Sequence, residues 1–208
     1  TLSLTSHTGD VTLTGGTITV SSAAVTTSNL LDISAGANAT LGSVLNSTNA
    51  NVSITAGDGI ALNSDITTTA GTETVTLSAG DRISDDANSA TDVSAGTLSI
   101  LAADGIGTAA AAVNTDVTTL SIIDGASNAV VTGDTYVRQV RDIVVENVET
   151  VNGNFNLTTE DSVAGTTASI TVKSLDVGTA AVSLTADGTI ATATGGTTGL
   201  IRGADLTL

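Results

Sequence analysis

Val52-Ser-Ile-Thr-Ala-Gly-Asp-Gly-Ile60, Val75-Thr-Leu-Ser-Ala-Gly-Asp-Arg-Ile83 and Leu98-Ser-Ile-Leu-Ala-Ala-Asp-Gly-Ile106 are copies of one phrase, each starting 23 residues after the last. A fixed period in the twenties, combined with apolar alternation and a Gly turn, is the mark of a solenoid. Working outward, the first apolar row reads Leu31, Val52, Val75, Leu98, Leu120 and the second Ile33, Ile54, Leu77, Ile100, Ile122. Ile60, Ile83 and Ile106 make a third row after the turn. Between these anchors each repeat has room for two more short strands, such as Ile60-Ala-Leu62 and Asp65-Ile-Thr67. The expectation is an all-β chain: a parallel β-helix (β-solenoid) of about 22–23 residues and three short strands per rung, with rungs roughly 4.8 Å apart.

The residue types agree with that geometry. Ile, Val and Leu fall at inward positions and Ser and Thr at outward ones, both suited to a pleated surface. Gly, Asn and Asp fall at corners, where tight turns need them. The chain has no Pro, as expected where nearly every backbone N–H donates to the next rung. It also has no Trp, Met or Cys, so disulfides and thiolate metal sites are excluded. A formal charge of −16, from 21 acids against 5 bases, argues against a nucleic-acid partner and against an anionic membrane surface. No apolar run is long enough to span a membrane as a helix, so no membrane insertion is expected.

One solenoid segment is expected over residues 1–208, with regular rungs at 31–123, an irregular excursion at 125–154 and looser rungs at 155–208. The absence of an initiator Met and a last phrase, Asp205-Leu-Thr-Leu208, that stops in mid-pattern suggest a piece of a longer chain or filament. After Ile122 the next clear strand, Phe155-Asn-Leu157, puts its anchor 35 residues on, half a rung too many. Within the gap, Val137, Val140 and Val144 suit a short helix, while Ile143-Val-Val145 suits a strand. Val182-Ser-Leu-Thr-Ala-Asp-Gly-Thr-Ile190 then echoes the opening phrase.

Candidate sites are few. Asp58, Asp81 and Asp104 recur at one place in consecutive repeats, so stacking would set them about 5 Å apart and offer a carboxylate ladder to Ca²⁺. Corner Asp residues bonded to their own turns explain the same pattern more simply. No other cofactor is expected. Asp85-Asp86 with Asp92, and Glu160-Asp161, are acid groupings of the kind glycoside hydrolysis uses, but one Tyr, one Phe and no Trp leave them without the aromatic platforms such enzymes bring. His7 has no second His to build a metal or catalytic site. Tyr136, Arg138 and Arg141 form the most varied patch and are the candidates for contact with a partner. No catalytic residue is expected.

The repeated Val/Leu-Ser/Thr-Ile/Leu-Ser/Thr-Ala-Gly/Ala-Asp-Gly-x-Ile phrase resembles the repeats of filamentous-haemagglutinin-like giant bacterial adhesins. The resemblance covers 31–123 well and 155–208 loosely. It implies a right-handed parallel β-helix, secreted and displayed as a rod at a cell surface, and it brings no catalytic residue. The expected role is therefore a structural or adhesive rod segment of an extracellular surface protein or filament. A surface-layer or sheath subunit is the nearest alternative, and a polysaccharide-acting β-helix enzyme is the alternative of another class. Expected partners are further rungs, by end-to-end self-association or covalent continuation, and cell-surface glycans of a host or neighbouring cell.

Overall fold

The computed structural model describes residues 8–21, 24–69, 71–122, 132–161, 166–193 and 200–208. Every strand-to-strand pairing among them is parallel, and none of these residues is helical. The chain winds through about eight turns of a β-solenoid.

The first face stacks Val11–Gly15, Leu31–Ala35, Val52–Ala56 and Thr74–Ala79, followed by the second halves of Val93–Ala102 and Val113–Ile122. Its register is the one the periodicity requires: Leu31 on Val52 on Val75 on Leu98 on Leu120, and Ile33 on Ile54 on Leu77 on Ile100 on Ile122. All ten side chains are buried, and each contributes on the order of 1.5–3 kcal/mol by leaving water. The second face stacks Ile18–Ser21, Ala39–Gly42, Ile60–Leu62 and Ile83–Asp85 as a sheet of its own. The third stacks Val25–Thr27, Leu45–Ser47 and Ile66–Thr68 under the first halves of the two ten-residue strands. The row Ile60, Ile83, Ile106 is also formed, its last member through a single bridge.

Corners are held by backbone as tightly as faces. The Asp58 N–H donates to the Ala37 carbonyl, Asp81 to Asp58, and Asp104 to Asp81, at 3.1, 3.1 and 3.3 Å. Beside them the glycines stack so closely that a Cβ on Gly57 would lie 2.2 Å from the Gly36 carbonyl oxygen, and one on Gly80 2.0 Å from that of Gly57. Close approach, not a left-handed φ, is what requires glycine here.

The region 125–154 is where pattern and structure part company. Of it, residues 132–154 are described, and they contain two strands, Thr135–Gln139 and Ile143–Glu149, where one reading allowed a helix. The main rows do not jump 35 residues to Phe155–Leu157. Leu120 is followed by Val145 and Ile122 by Val148, with a register shift after Leu120. Phe155 and Leu157 sit on Thr135 and Val137, in a different column, and Val182 and Leu184 sit on Phe155 and Leu157. The phrase at 182–190 thus repeats the opening motif on a new face. The first face meanwhile divides: Ile143–Val145 carries Ile170–Val172 and then Ile190–Thr192, while Val148–Glu149 carries Leu175–Asp176, above which runs Leu200–Arg202. Asp205–Thr207 stacks on Ala181–Ser183.

Gln139 marks the change of faces from inside. Fully buried, it accepts from the Thr115 hydroxyl (2.7 Å) and the Val117 N–H (3.2 Å) and donates to the Val117 carbonyl (2.8 Å). Its amide thus serves both polar groups of one backbone residue, as a neighbouring strand would. Gln139→Leu, which keeps the volume and deletes the amide, leaves these groups unserved, and we expect a loss of about 2–4 kcal/mol in urea unfolding with the fold retained.

Candidate functional site

The second face ends at Ile83–Asp85, and the connections beside it lengthen. Ile60 and Ile66 start successive strands six residues apart, whereas Ile83 and Val93 are ten apart. Loop 86–92 is the result, and in the next turn loop 107–112 projects near it, closed by a bridge between Thr108 and Ala111. Asn88 and Ser89 of the first loop, Ala109–Ala112 of the second, and Asn114 and Arg138 from the following strands line a groove there.

Three acids organise the first loop. Asp85 and Asp86 each accept a backbone N–H two residues on, from Ala87 (2.9 Å) and Asn88 (3.1 Å). Ala87 takes a positive φ of 65° in the resulting turn. Asp92 is buried, at 2% exposure, where it joins the third face. Its N–H donates to the Asn114 carbonyl, its Oδ2 accepts the Asn114 N–H at 2.7 Å, and the Asn114 amide donates to the Asn88 carbonyl at 3.1 Å. Burial pushes the Asp92 carboxyl up to about 8, against the Asn114 N–H and helped by the charge and hydrogen bond of Asp85 and the charge of Asp86. Asp85 Oδ1, also buried, has no hydrogen-bond donor of its own among the described residues. We read the two facts together: Asp92 is protonated at neutral pH, and its hydroxyl serves Asp85.

Glycoside hydrolysis needs two acids at a set separation, both open to the substrate. Carboxyls that share a proton are about 3 Å apart, whereas the two acids of glycosidases stand roughly 5–9.5 Å apart around the scissile bond. Asp92 is also closed to any substrate. Glu160 and Asp161 lie elsewhere on the surface, with Asp161 Oδ2 accepting from the Thr166 hydroxyl at 2.5 Å.

The remaining candidates separate. Asp58, Asp81 and Asp104 stack through their backbones, yet their side chains are exposed, and no group of three potential metal ligands gathers among the described residues. The Asp104 carboxylate faces Arg82 at 3.6 Å. His7 lies outside the described residues. The side chains of Tyr136, Arg138 and Arg141 have different surroundings. Tyr136 is half-buried, its hydroxyl 3.4 Å from Asp134 Oδ2, and burial followed by that carboxylate pushes the phenol up. Arg141 is ion-paired with Asp116, whose hydrogen bond raises the guanidinium further. Arg138 alone is exposed with no hydrogen bond or ion pair to its side chain among the described residues.

Asn114, Asp92 and Gln139 were not legible as buried polar groups, because each sits on a strand pattern that reads as outward or irregular. The lengthened Ile83-to-Val93 spacing is the one signal that marks the loop. Compared with known protein families, curated proteins and solved structures, the chain matches none.

Proposed function

We propose that this chain is a structural rod segment of an extracellular bacterial surface protein or filament, with no catalysis of its own. One observation carries the reading: the aliphatic rows stack turn on turn from Leu31 to Leu120 and from Ile33 to Ile122, and Asp85, Asp86 and Asp92 are spent on holding a loop. A stack of rungs joined by parallel backbone ladders spreads tension over many hydrogen bonds, which suits a stalk. Exposed Ser and Thr solvate such a rod without charge. In this reading another rung, covalent or from a second copy, covers Leu206, which belongs to an inward row yet is half exposed.

The experiment is direct. Incubated with polygalacturonate, alginate, xylan and mixed-linkage glucan between pH 4 and 8, the chain should release no reducing ends and no unsaturated products. Release that disappears in Asp86→Asn would make it a polysaccharide-acting enzyme instead.

A further inference from the structure

Arg138 is out of place as a surface cation. The chain has five basic side chains, and among the described residues four of them are matched to acids: Arg82 with Asp104, Arg141 with Asp116, Lys173 with Glu146, and Arg202 with Asp176. In a chain of net charge −16, acids are so abundant that an unmatched guanidinium is the exception. It stands in a groove lined by loops 86–92 and 107–112, in register beside Asn114 on one side and Thr158 on the other. The groove wall is fixed in advance, because Asp92 anchors the Asn114 backbone and the Asn114 amide holds loop 86–92 at Asn88.

We propose that this groove is a binding subsite for a single acidic sugar residue on an otherwise neutral glycan, with the Arg138 guanidinium taking its carboxylate. A guanidinium presents paired N–H donors that match a carboxylate's two oxygens. A lone cation on a chain of net charge −16 accepts one carboxylate, while the charge of the whole chain repels a polyanion. Asn88 and Ser89 offer amide and hydroxyl groups to ring hydroxyls, and the methyls of Ala109–Ala112 offer an apolar wall to a ring face. A peptide fits less well. The strands carrying Asn114 and Arg138 are already paired on both sides, and loop 107–112 closes on itself through Thr108 and Ala111, so no free ladder remains for a peptide backbone. The proposal rests on reading the chain as an adhesive surface rod and adds the chemistry of what it holds.

The test is titration of the full chain, by ligand-observed NMR at low salt, with 3′-sialyllactose and with lactose. Sialyllactose should bind at least tenfold more tightly, and the difference should shrink as salt is added. Arg138→Gln should remove the difference and leave the melting temperature unchanged, whereas Arg82→Gln should leave binding intact. Asp86→Asn, which removes a negative charge from the loop that lines the groove, should tighten binding. Equal binding of the two sugars, equal loss in both Arg variants, tighter binding of polygalacturonate, or binding of a C-terminal peptide carboxylate in preference to the sugar would each overturn the proposal. None of those outcomes bears on the absence of catalysis, which the polysaccharide incubations read separately.

Discussion

Asp92→Asn should make the protein more stable at pH 8.5 than the natural chain, while leaving it about equal or slightly weaker at pH 5. Folding moves the Asp92 carboxyl from its ordinary value of 3.8 up to about 8. Between those limits the native state holds a proton that the unfolded chain has released. Stability from this group is therefore fully present below about pH 3.8 and is lost as pH rises through 8, at up to roughly 1.4 kcal/mol per pH unit. Over the window the cost amounts to a few kcal/mol, because water reaching an ionised Asp92 relieves part of it. Asparagine reproduces the protonated acid: its oxygen accepts the Asn114 N–H, and its amide donates to Asp85. Thermal melts from pH 5 to 9 should show a falling curve for the natural chain and a flatter one for the variant. Parallel curves would mean that Asp92 is ionised in the native state and that Asp85 Oδ1 is served by something else.

The second large effect is expected at a corner. Gly80→Val places its Cβ about where the Gly57 carbonyl stands, since an ideal Cβ would already lie 2.0 Å from that oxygen. Neither group can move without breaking the corner hydrogen bonds, including Gly80 N–H to the Ala56 carbonyl. We expect a loss of about 3 kcal/mol or more by urea unfolding, the upper range for overpacking. Gly16→Ala is the control, because a Cβ there meets nothing within 4 Å; its effect should fall within about 0.5 kcal/mol. Equal effects at the two sites would show that the rungs do not stack as closely as described.

The third copy of the repeated phrase carries Ala103 where the first two carry glycine, and there the corner opens: the Ala103 N–H reaches the Ala79 carbonyl at 3.3 Å, against 2.9–3.0 Å for Gly57 and Gly80. The sequence thus records in one residue how tightly each corner packs. The same legibility holds wherever a row stays in one column. Leu31 to Leu120 and Ile33 to Ile122 were readable because identical spacing, inward aliphatics and Gly corners all say one thing. Reading fails beyond Ile122 for a physical reason. Thr135–Gln139 stacks on both Ile106 and Val113–Thr115, so the second and third faces merge there and equal spacing no longer means equal column. Phe155 and Val182 look like late members of the first row and are members of another.

The candidate site was legible only in part. Arg138 stood out as a cation in an acid-rich chain, but its two sequence companions, Tyr136 and Arg141, are committed to Asp134 and Asp116. Those partners lie two and 25 residues away, and the longer of the two contacts depends on rung register. The acids at 85, 86 and 92 read as a reactive cluster because proximity in sequence says nothing about burial. In the structure the most perturbed of them, Asp92, is the least accessible, and it acts as a clasp for the loop that shapes the groove.

Rungs stacked in parallel and in register position every residue described above, and paired spin labels measure that stacking most directly. With no native cysteine, labels can be placed at outward positions of the first face, where Thr12, Asp32, Ser53, Thr76, Ser99 and Ser121 follow one another by register. Labels at Thr12 and Ser121 are five rungs apart, and at Asp32 and Ser121 four. Pulsed dipolar spectroscopy should give narrow distributions near about 24 Å and about 19 Å, a difference of one strand spacing. Broad distributions, or two distances that do not differ by about one rung, would contradict the solenoid and everything placed on it.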